Sequence, residues 1–280
     1  MDCRVVVFSV LTAGALLVLA APDAAADVPG AESRSAASDS SGAPASAAVA
    51  ESGGPAADLP RIALEYAAPG AVPPRTAISF RSAIPGIQWG TANEHETRTG
   101  LSMVKLYMVD YALRHGDGSP SDRTLAERMI RDSDDGAAEL MGAKYPQAID
   151  AIAAEYRLTA TTAGASWGMS YTSTADVATF LETKQRSDPE SPIFDWMAAA
   201  DAMASDGTLQ DWGTARLPGV LGTKWGWSDF GQQEVASASF GHGFAVAAHT
   251  RGTPDEQTAD VTDALAQMMV DLIARRIAPG

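Results

Sequence analysis

The chain has 280 residues, a formal net charge of −15 and one cysteine. This acidity, without any basic stripe, argues against nucleic acid as a partner and agrees with a soluble role outside the cell. The single cysteine is Cys3. The sequence after the N-terminal apolar segment therefore offers no disulfide, no thiol nucleophile and no thiolate metal site.

The first 26 residues have the pattern of a secretory signal. Arg4 precedes an apolar core at 5–21, and the alanines at 24–26 provide small residues for cleavage. An uncleaved membrane anchor is the alternative, but the apolar run is short for a spanning helix. We expect a secreted, extracytoplasmic protein of the cell envelope that has no membrane span after cleavage.

Residues 27–60 consist mainly of Ala, Ser, Gly and Pro with scattered acids. A segment without aromatic residues or periodic large apolar residues cannot bury enough surface to offset the entropy of ordering. We therefore predict a disordered linker at 27–60. The remaining residues, 61–280, are long enough for one folded domain, or two interleaved lobes, with a sizeable core.

Hydrophobic periodicity predicts two strands, a run of helices, three strands and a last helix. The predicted strands are 61–66, 76–82, 217–227, 233–240 and 243–250, and the predicted helices are 101–114, 121–131, 135–142, 146–156, 173–183, 192–204 and 255–276. This order indicates an α+β architecture. Its sheet would combine strands from both chain ends and lie under the terminal helix, with a helical lobe inserted between the two halves.

Ser102 and Lys105 have the clearest catalytic pattern. Only four of the 20 basic residues are lysines, and Lys105 follows Ser102 by three positions at the start of a predicted helix that is apolar nearly all round. Residues three apart share one helix face. A partly desolvated lysine can lose its proton, whereas an arginine cannot, so Lys105 could activate the Ser102 hydroxyl. The helix N-terminus would favour negative charge developing on Ser102.

The same residues also have purely structural interpretations. Ser102 could only cap the helix, and Lys105 could lie along apolar surface with its amine in water. Ser133-Asp134-Asp135 could be a cap and turn before the next helix. Lys224 could face solvent from its strand.

Three short motifs occur in the order and setting of a known signature: Ser102-Met103-Val104-Lys105 at a helix start, Ser133-Asp134-Asp135 after a helix, and Lys224-Trp225-Gly226 on a strand. With them the chain resembles the penicillin-recognising serine hydrolases, meaning class A β-lactamases and D,D-peptidases, whose signature is S-x-x-K, S-D-N and K-T-G. The resemblance covers 61–280. It implies a β-lactamase/transpeptidase-like fold, with an antiparallel sheet flanked by helices. The short spacing between the first two motifs implies a reduced helical lobe.

By this resemblance, Ser102 forms an acyl-enzyme, Lys105 acts as its base and Ser133 passes a proton to the leaving group. Lys224 would anchor an anionic substrate. The backbone N–H groups of Ser102 and Ser228 would form an oxyanion hole. The substrate-binding residues implied by the resemblance are Asp135, Lys224, Trp225, Gly226 and Ser228.

The chain also departs from the family pattern at three places. Asp135 stands where the family has Asn; a carboxylate only accepts hydrogen bonds, and it could pair with Lys105 and keep that lysine charged. Trp225 replaces a hydroxyl residue that contacts the substrate carboxylate. Residues 159–172 contain no Asp or Glu, whereas class A β-lactamases use a Glu on a loop there for deacylation. Efficient β-lactam hydrolysis is therefore not expected.

Two functions remain open from the sequence. The first is a secreted serine hydrolase that forms an acyl-enzyme with a β-lactam or a D-alanyl peptide-type amide. It would be a monomer with a small-molecule or peptidoglycan-derived substrate, and it would need no cofactor or metal. The second is a catalytically degenerate protein of the same fold that binds cell-wall peptides or glycans with Trp225 and Trp227. The retained Ser102, Lys105 and Lys224 favour the enzyme, and the changes at 135 and 225 favour the binding protein.

Overall fold

The computed structural model describes the backbone of residues 72–277 and the side chains of 72–266 and 268–270. The predicted signal at 1–26, the predicted linker at 27–60 and the predicted strand at 61–66 lie outside the described residues. No helix within 72–277 is long and apolar enough to cross a membrane.

The main sheet has five antiparallel strands in the order β2-β1-β7-β6-β5. Its strands are β1 (Thr76–Ser82), β2 (Gln88–Gly90), β5 (Val220–Trp227), β6 (Val235–Gly241) and β7 (Phe244–Thr250). Two further short strands, β3 (Arg98–Thr99) and β4 (Tyr171–Thr172), pair with each other apart from this sheet. The prediction of a sheet built from both chain ends is confirmed, since β1 and β7 pair along their whole length.

Seven α-helices accompany the two sheets in the described part of the chain. They are α1 (Val104–His115), α2 (Pro120–Arg131), α3 (Asp135–Lys144), α4 (Ala148–Tyr156), α5 (Thr174–Ser187), α6 (Pro192–Ala198) and α7 (Pro254–Ile277). The predicted helix at 192–204 ends early, at Ala198. After Ala198 the chain makes hydrogen bonds to residues outside this helix instead. The Gln210 side-chain amide donates to the carbonyl groups of Arg131 and Asp201.

The sheet has a different kind of residue on each face. On one face, large side chains such as Ile78 and Val246 pack against Val261 and Leu265 of α7. The other face carries small residues, such as Ala247, that join the core of α1 and α5. α5 packs on this face, and α1, which lies among the other helices, is buried along most of its length. The chain just before α1 lies against the sheet, beside the edge strand β5.

Candidate active site

Ser102 lies in a 3-10 turn, Leu101–Met103, that leads directly into α1. Leu101 has a φ of 47°, a conformation that costs a non-glycine residue on the order of 1 kcal/mol. Neither this turn nor α1 has a side-chain cap, so Ser102 is not a helix cap. Its side chain lines a cleft while the residue as a whole is 8% exposed. A hydroxyl in this position is available to a ligand in the cleft.

The backbone of Ser102 is in close contact with Gly226 on the edge strand. A Cβ atom on Gly226 would come 2.8 Å from the Ser102 nitrogen and 3.0 Å from the Leu101 Cβ. Only glycine allows this approach without displacement of the turn. The glycine of the Lys224-Trp225-Gly226 motif therefore allows β5 to position Ser102.

Lys105 is fully buried, and its hydrogen bonds lead away from Ser102. Its Nζ donates to the Ser133 carbonyl at 2.6 Å, to Asp135 Oδ1 at 2.5 Å and, more weakly, to Ser133 Oγ at 3.4 Å. The Trp167 ring covers the amine, with 4.7 Å between Nζ and the ring centroid. Burial lowers the pKa of Lys105, and the Asp135 carboxylate offsets part of this effect.

Ser133 lies between the two lysines of the site. Its Oγ accepts a hydrogen bond from Lys224 Nζ at 2.7 Å, and its φ of 54° is again unusual for a residue other than glycine. Such backbone strain is concentrated at functional sites. Lys224 is 0% exposed and also donates to the Trp225 carbonyl at 3.0 Å. Burial, and next the nearby Lys105, lower the pKa of Lys224 well below its usual value.

Asp134 and Asp135 have different contacts although they are adjacent. Asp134 caps α3, because its side chain accepts from the backbone N–H of Ala137 at 2.9 Å, and it pairs with Arg128. Asp135 is exposed and forms the ion pair with Lys105. The cap interpretation of this motif therefore holds for Asp134 only, and the expected pairing of Asp135 with Lys105 is present.

Ser102 and Ser133 open onto a cavity of about 1020 Å³. The cavity lies between α3 and the 163–170 segment on one side and the turn from β5 to β6 on the other. Asp135 and Ser228 also line it, whereas Lys105 and Lys224 lie behind its surface. Lys224 therefore does not contact the cavity directly, contrary to the expectation that it anchors a substrate.

Trp225 does not line the cavity either. Its ring packs edge-on against Trp212, with centroids 6.3 Å apart, and its Nε1 donates to the Trp212 carbonyl at 3.0 Å. Only 7% of the residue is exposed. The expected substrate-binding role of Trp225 is therefore not available in this conformation, because alternation along β5 turns its side chain into a tryptophan cluster.

Ser228 lines the cavity, but its backbone N–H donates to the Glu234 carbonyl at 3.0 Å. Its hydroxyl closes the same turn, by donating to the Gln232 carbonyl and accepting from the Glu234 N–H. The expected oxyanion donor at Ser228 is thus occupied. Because N–H groups alternate in direction along an antiparallel strand, the Trp227 N–H points away from β6 at the free edge, beside Ser102.

Four residues with a bearing on the cleft were not anticipated from the sequence. Trp167 covers Lys105 and lines the cavity. Asp206 and Asp229 also line it. Glu234 lines it too and accepts a hydrogen bond from the Thr99 hydroxyl. No local signal marks them, because only the fold brings the 163–170 segment, Asp206 and the β5–β6 turn to one cavity.

No cluster of three or more His, Cys, Asp or Glu side chains within 72–277 is arranged to hold a metal ion.

No protein-family model and no curated protein matches the chain. Solved structures of the penicillin-recognising enzymes do match its fold. A variant of the class A β-lactamase of the last common ancestor of Gram-negative bacteria aligns with a TM-score of 0.54 at 17% identity, covering 72% of this chain and 94% of that one. The β-lactamase from Streptomyces albus G aligns with a TM-score of 0.53 at 17% identity, covering 69% and 93%. Penicillin-binding protein D2 from Listeria monocytogenes, bound to cefotaxime, aligns with a TM-score of 0.50 at 15% identity, covering 70% and 95%.

The chain therefore has the β-lactamase/transpeptidase-like α+β fold of the penicillin-recognising enzymes, as a divergent example of it. The resemblance inferred from the three motifs is confirmed at the level of the fold.

Proposed function

We propose that the protein is a serine acyl-transfer enzyme in which Ser102 attacks the carbonyl of a β-lactam or of a D-alanyl peptide-type amide. The observation that supports this most strongly is the uncapped Ser102 hydroxyl at the cleft surface. Ser102 is one helical turn from the buried Lys105, which donates to Ser133, and Ser133 in turn accepts from Lys224.

In the proposed first step, Ser102 Oγ bonds to the carbonyl carbon while its proton passes to the neutral amine of Lys105. Burial favours the neutral amine because it lowers the pKa of Lys105. The hydrogen bond from Ser102 to Lys105 is absent from the contacts of Lys105, but such bonds often form only when substrate is bound. The negative charge on the former carbonyl oxygen would be held by the N–H groups of Ser102 and Trp227.

In the proposed second step, the amide nitrogen leaves as the amine after it takes the Ser133 hydroxyl proton. The contact with Lys224 supports this role for Ser133. Because Ser133 Oγ accepts from Lys224 Nζ at 2.7 Å, its own proton is free to point towards a leaving group. Lys105 then returns a proton to Ser133, and the acyl group remains on Ser102.

Hydrolysis of that acyl-enzyme would be slow. The 163–170 segment lines the cleft with Ala, Gly, Ser, Trp and Met residues only. It therefore offers no carboxylate to activate a water from this side, and the carboxylates of the cleft lie on other segments. We therefore favour a D,D-peptidase-like, penicillin-binding activity over efficient lactamase activity. We further propose that the protein works outside the cytoplasm, on the basis of the signal-like N-terminus.

Intact-mass spectrometry of the full chain after incubation with a penicillin tests this function. We expect a stable adduct of one ligand mass that is missing from Ser102→Ala, as slow deacylation requires. Unmodified protein beside intact penicillin would instead favour the binding protein with the same fold. The ion pair between Asp135 and Lys105 is the one contact in the site that supports that second function.

A further inference from the structure

The surface of the cleft is acidic, with no basic side chain on it. Six carboxylates line the cavity, and no Lys, Arg or His is among the described residues that do so. These carboxylates belong to Asp134, Asp135, Glu139, Asp206, Asp229 and Glu234. They come from both sides, with α3 and its cap on one and Asp206 and the β5–β6 turn on the other, so a ligand in the cavity has negative charge on either side of it.

Only part of this charge is neutralised within the protein. Asp134 pairs with Arg128, Asp135 with Lys105 and, at 3.7 Å, Glu234 with Arg251. Asp229 and Glu139 make no hydrogen bond or ion pair with any described residue. Burial, followed by the neighbouring Asp135 and Asp206 carboxylates, raises the pKa of Asp229. Lys105 opposes this shift, but among the described residues no cation is paired with the Asp229 carboxylate.

Aromatic surface accompanies the carboxylates. Phe230 is 88% exposed on the turn that also carries Asp229, and Trp227 lines the same side of the cavity. The Trp227 Nε1 donates to Asp206 Oδ2 at 3.1 Å, which ties ring and carboxylate together. Aromatic faces attract organic cations, and an exposed phenylalanine gains by covering an apolar ligand. This side of the cavity thus offers both carboxylates and aromatic rings, the two kinds of contact that an organic ammonium ion makes.

We propose that the cleft recognises ligands with an ammonium group on an apolar or aromatic body, and that the acyl donor for Ser102 belongs to this class. The part that concerns the acyl donor rests on the function proposed for Ser102. Anionic ligands are disfavoured, because like charges cost affinity and Lys224 lies behind the surface, 0% exposed. A D-alanyl peptide with a free side-chain amine fits this class better than a carboxylate-rich ligand.

Calorimetric titration of the full-length Ser102→Ala protein tests the proposal without requiring a reaction. The probes are 2-phenylethylammonium, 2-phenylethanol and 3-phenylpropionate, which share a ring and differ in charge. We expect the ammonium ion to bind about tenfold more tightly than the alcohol, with the carboxylate weakest. Added salt would reduce the difference.

Asp229→Asn removes one unpaired carboxylate without breaking a hydrogen bond, and it should reduce the preference for the ammonium ion about threefold. Glu190→Gln is the matched control. Glu190 is exposed between α5 and α6, outside the cavity, and without a hydrogen bond or ion pair to any described residue, so this change should leave the preference intact.

The proposal is overturned if the three probes bind equally, if the carboxylate binds most tightly, if none binds, or if Asp229→Asn behaves like Glu190→Gln. The function proposed for Ser102 fails separately. Because penicillin is an anion, an uncharged fluorophosphonate separates the two. Selective ammonium binding by a protein whose Ser102 reacts with neither reagent would contradict that function alone, and reaction at Ser102 without charge preference in ligand binding would contradict the present inference alone.

Discussion

Asp135 Oδ1 lies 2.5 Å from Lys105 Nζ, so the position at which the chain departs from the family signature is in direct contact with the proposed base. The carboxylate raises the pKa of a lysine that burial lowers. The two effects oppose each other at the residue that has to be neutral for acylation.

Asp135→Asn should therefore speed acylation of Ser102. Loss of the carboxylate lowers the Lys105 pKa further, so a larger fraction of the amine is neutral at pH 7. We expect a rate increase of about tenfold at pH 7, corresponding to one pKa unit. The rising limb of the pH–rate profile should also move to lower pH. Stopped-flow acylation by an activated ester between pH 5 and 10 measures both, with Glu190→Gln as the control; a slower Asp135→Asn would mean that the carboxylate assists.

Lys224→Met should remove activity while it leaves the fold intact. The substitution keeps an unbranched side chain of similar length but takes away the donor to Ser133 Oγ, so the Ser133 proton is no longer oriented. We expect acylation to slow by about 100-fold or more. Because the Lys224 pKa is depressed in the folded state, the unfolded chain takes up a proton at this amine first, and the folded protein loses stability as the pH falls below about 10.

Thermal unfolding is the companion measurement for that variant. At each pH, the melting temperature of Lys224→Met is compared with that of wild type. Because the variant has no buried lysine to keep neutral, its melting temperature relative to wild type should be higher at pH 7 than at pH 10. Unchanged acylation in a folded Lys224→Met protein would remove the lysine from the proposed mechanism.

Gly226→Ala tests the contact between the edge strand and the nucleophile turn. The new Cβ would lie 2.8 Å from the Ser102 nitrogen, so the strand or the turn has to move. Overpacking of this kind costs about 1–3 kcal/mol, which denaturant unfolding measures directly. We also expect acylation to fall by more than the unfolded fraction explains; wild-type rates in Gly226→Ala would show that this contact does not position Ser102.

Asp132 provides a prediction for the pH dependence of stability. Burial, with a further contribution from Asp201, raises the pKa of Asp132 to about 6, and the nearby Arg131 opposes the shift. The folded state therefore holds a proton more tightly than the unfolded chain, and its stability falls as the pH rises from about 4 to about 6. Asp132→Asn mimics the protonated carboxyl at every pH.

This variant should match wild type below pH 4 and exceed its stability at pH 7. The gain should be on the order of 1 kcal/mol, because solvent screens a partly exposed carboxyl. Melting temperatures of both proteins from pH 3.5 to 7.5 give the comparison. A constant offset across that range would mean that Asp132 does not titrate between pH 4 and 6.

The elements with clear periodicity could be predicted from the sequence, and the details of the site could not. The strand at Thr76–Ser82 was predicted with its observed bounds, because its apolar residues and its flanking turns are local signals. The three-residue strand β2 has no such pattern, since it is held only by pairing with β1. The early end of the helix at Ala198 likewise depends on distant partners, such as Gln210.

Lysine scarcity was an incomplete guide to the site. It singled out Lys105 and Lys224, which do share Ser133 as a partner. However, Lys184 is equally buried and has an ion pair with Asp110 at 2.6 Å that belongs to the helical core. Two features of the site depend on how β5 packs and pairs with its neighbours. They are the orientation of the Trp225 side chain away from the cavity and the hydrogen bond from the Ser228 N–H to the Glu234 carbonyl. Motif spacing alone does not contain that information.

Labelling of the full chain with a fluorophosphonate probe, followed by peptide mapping, tests the central claim most directly. The probe reacts with activated serines and carries no charge that the acidic cleft would repel. We predict one adduct, on Ser102, that is lost in Ser102→Ala and strongly slowed in Lys224→Met. A protein that stays unlabelled, or that is labelled on a different serine, would contradict the account of Ser102 as an activated nucleophile.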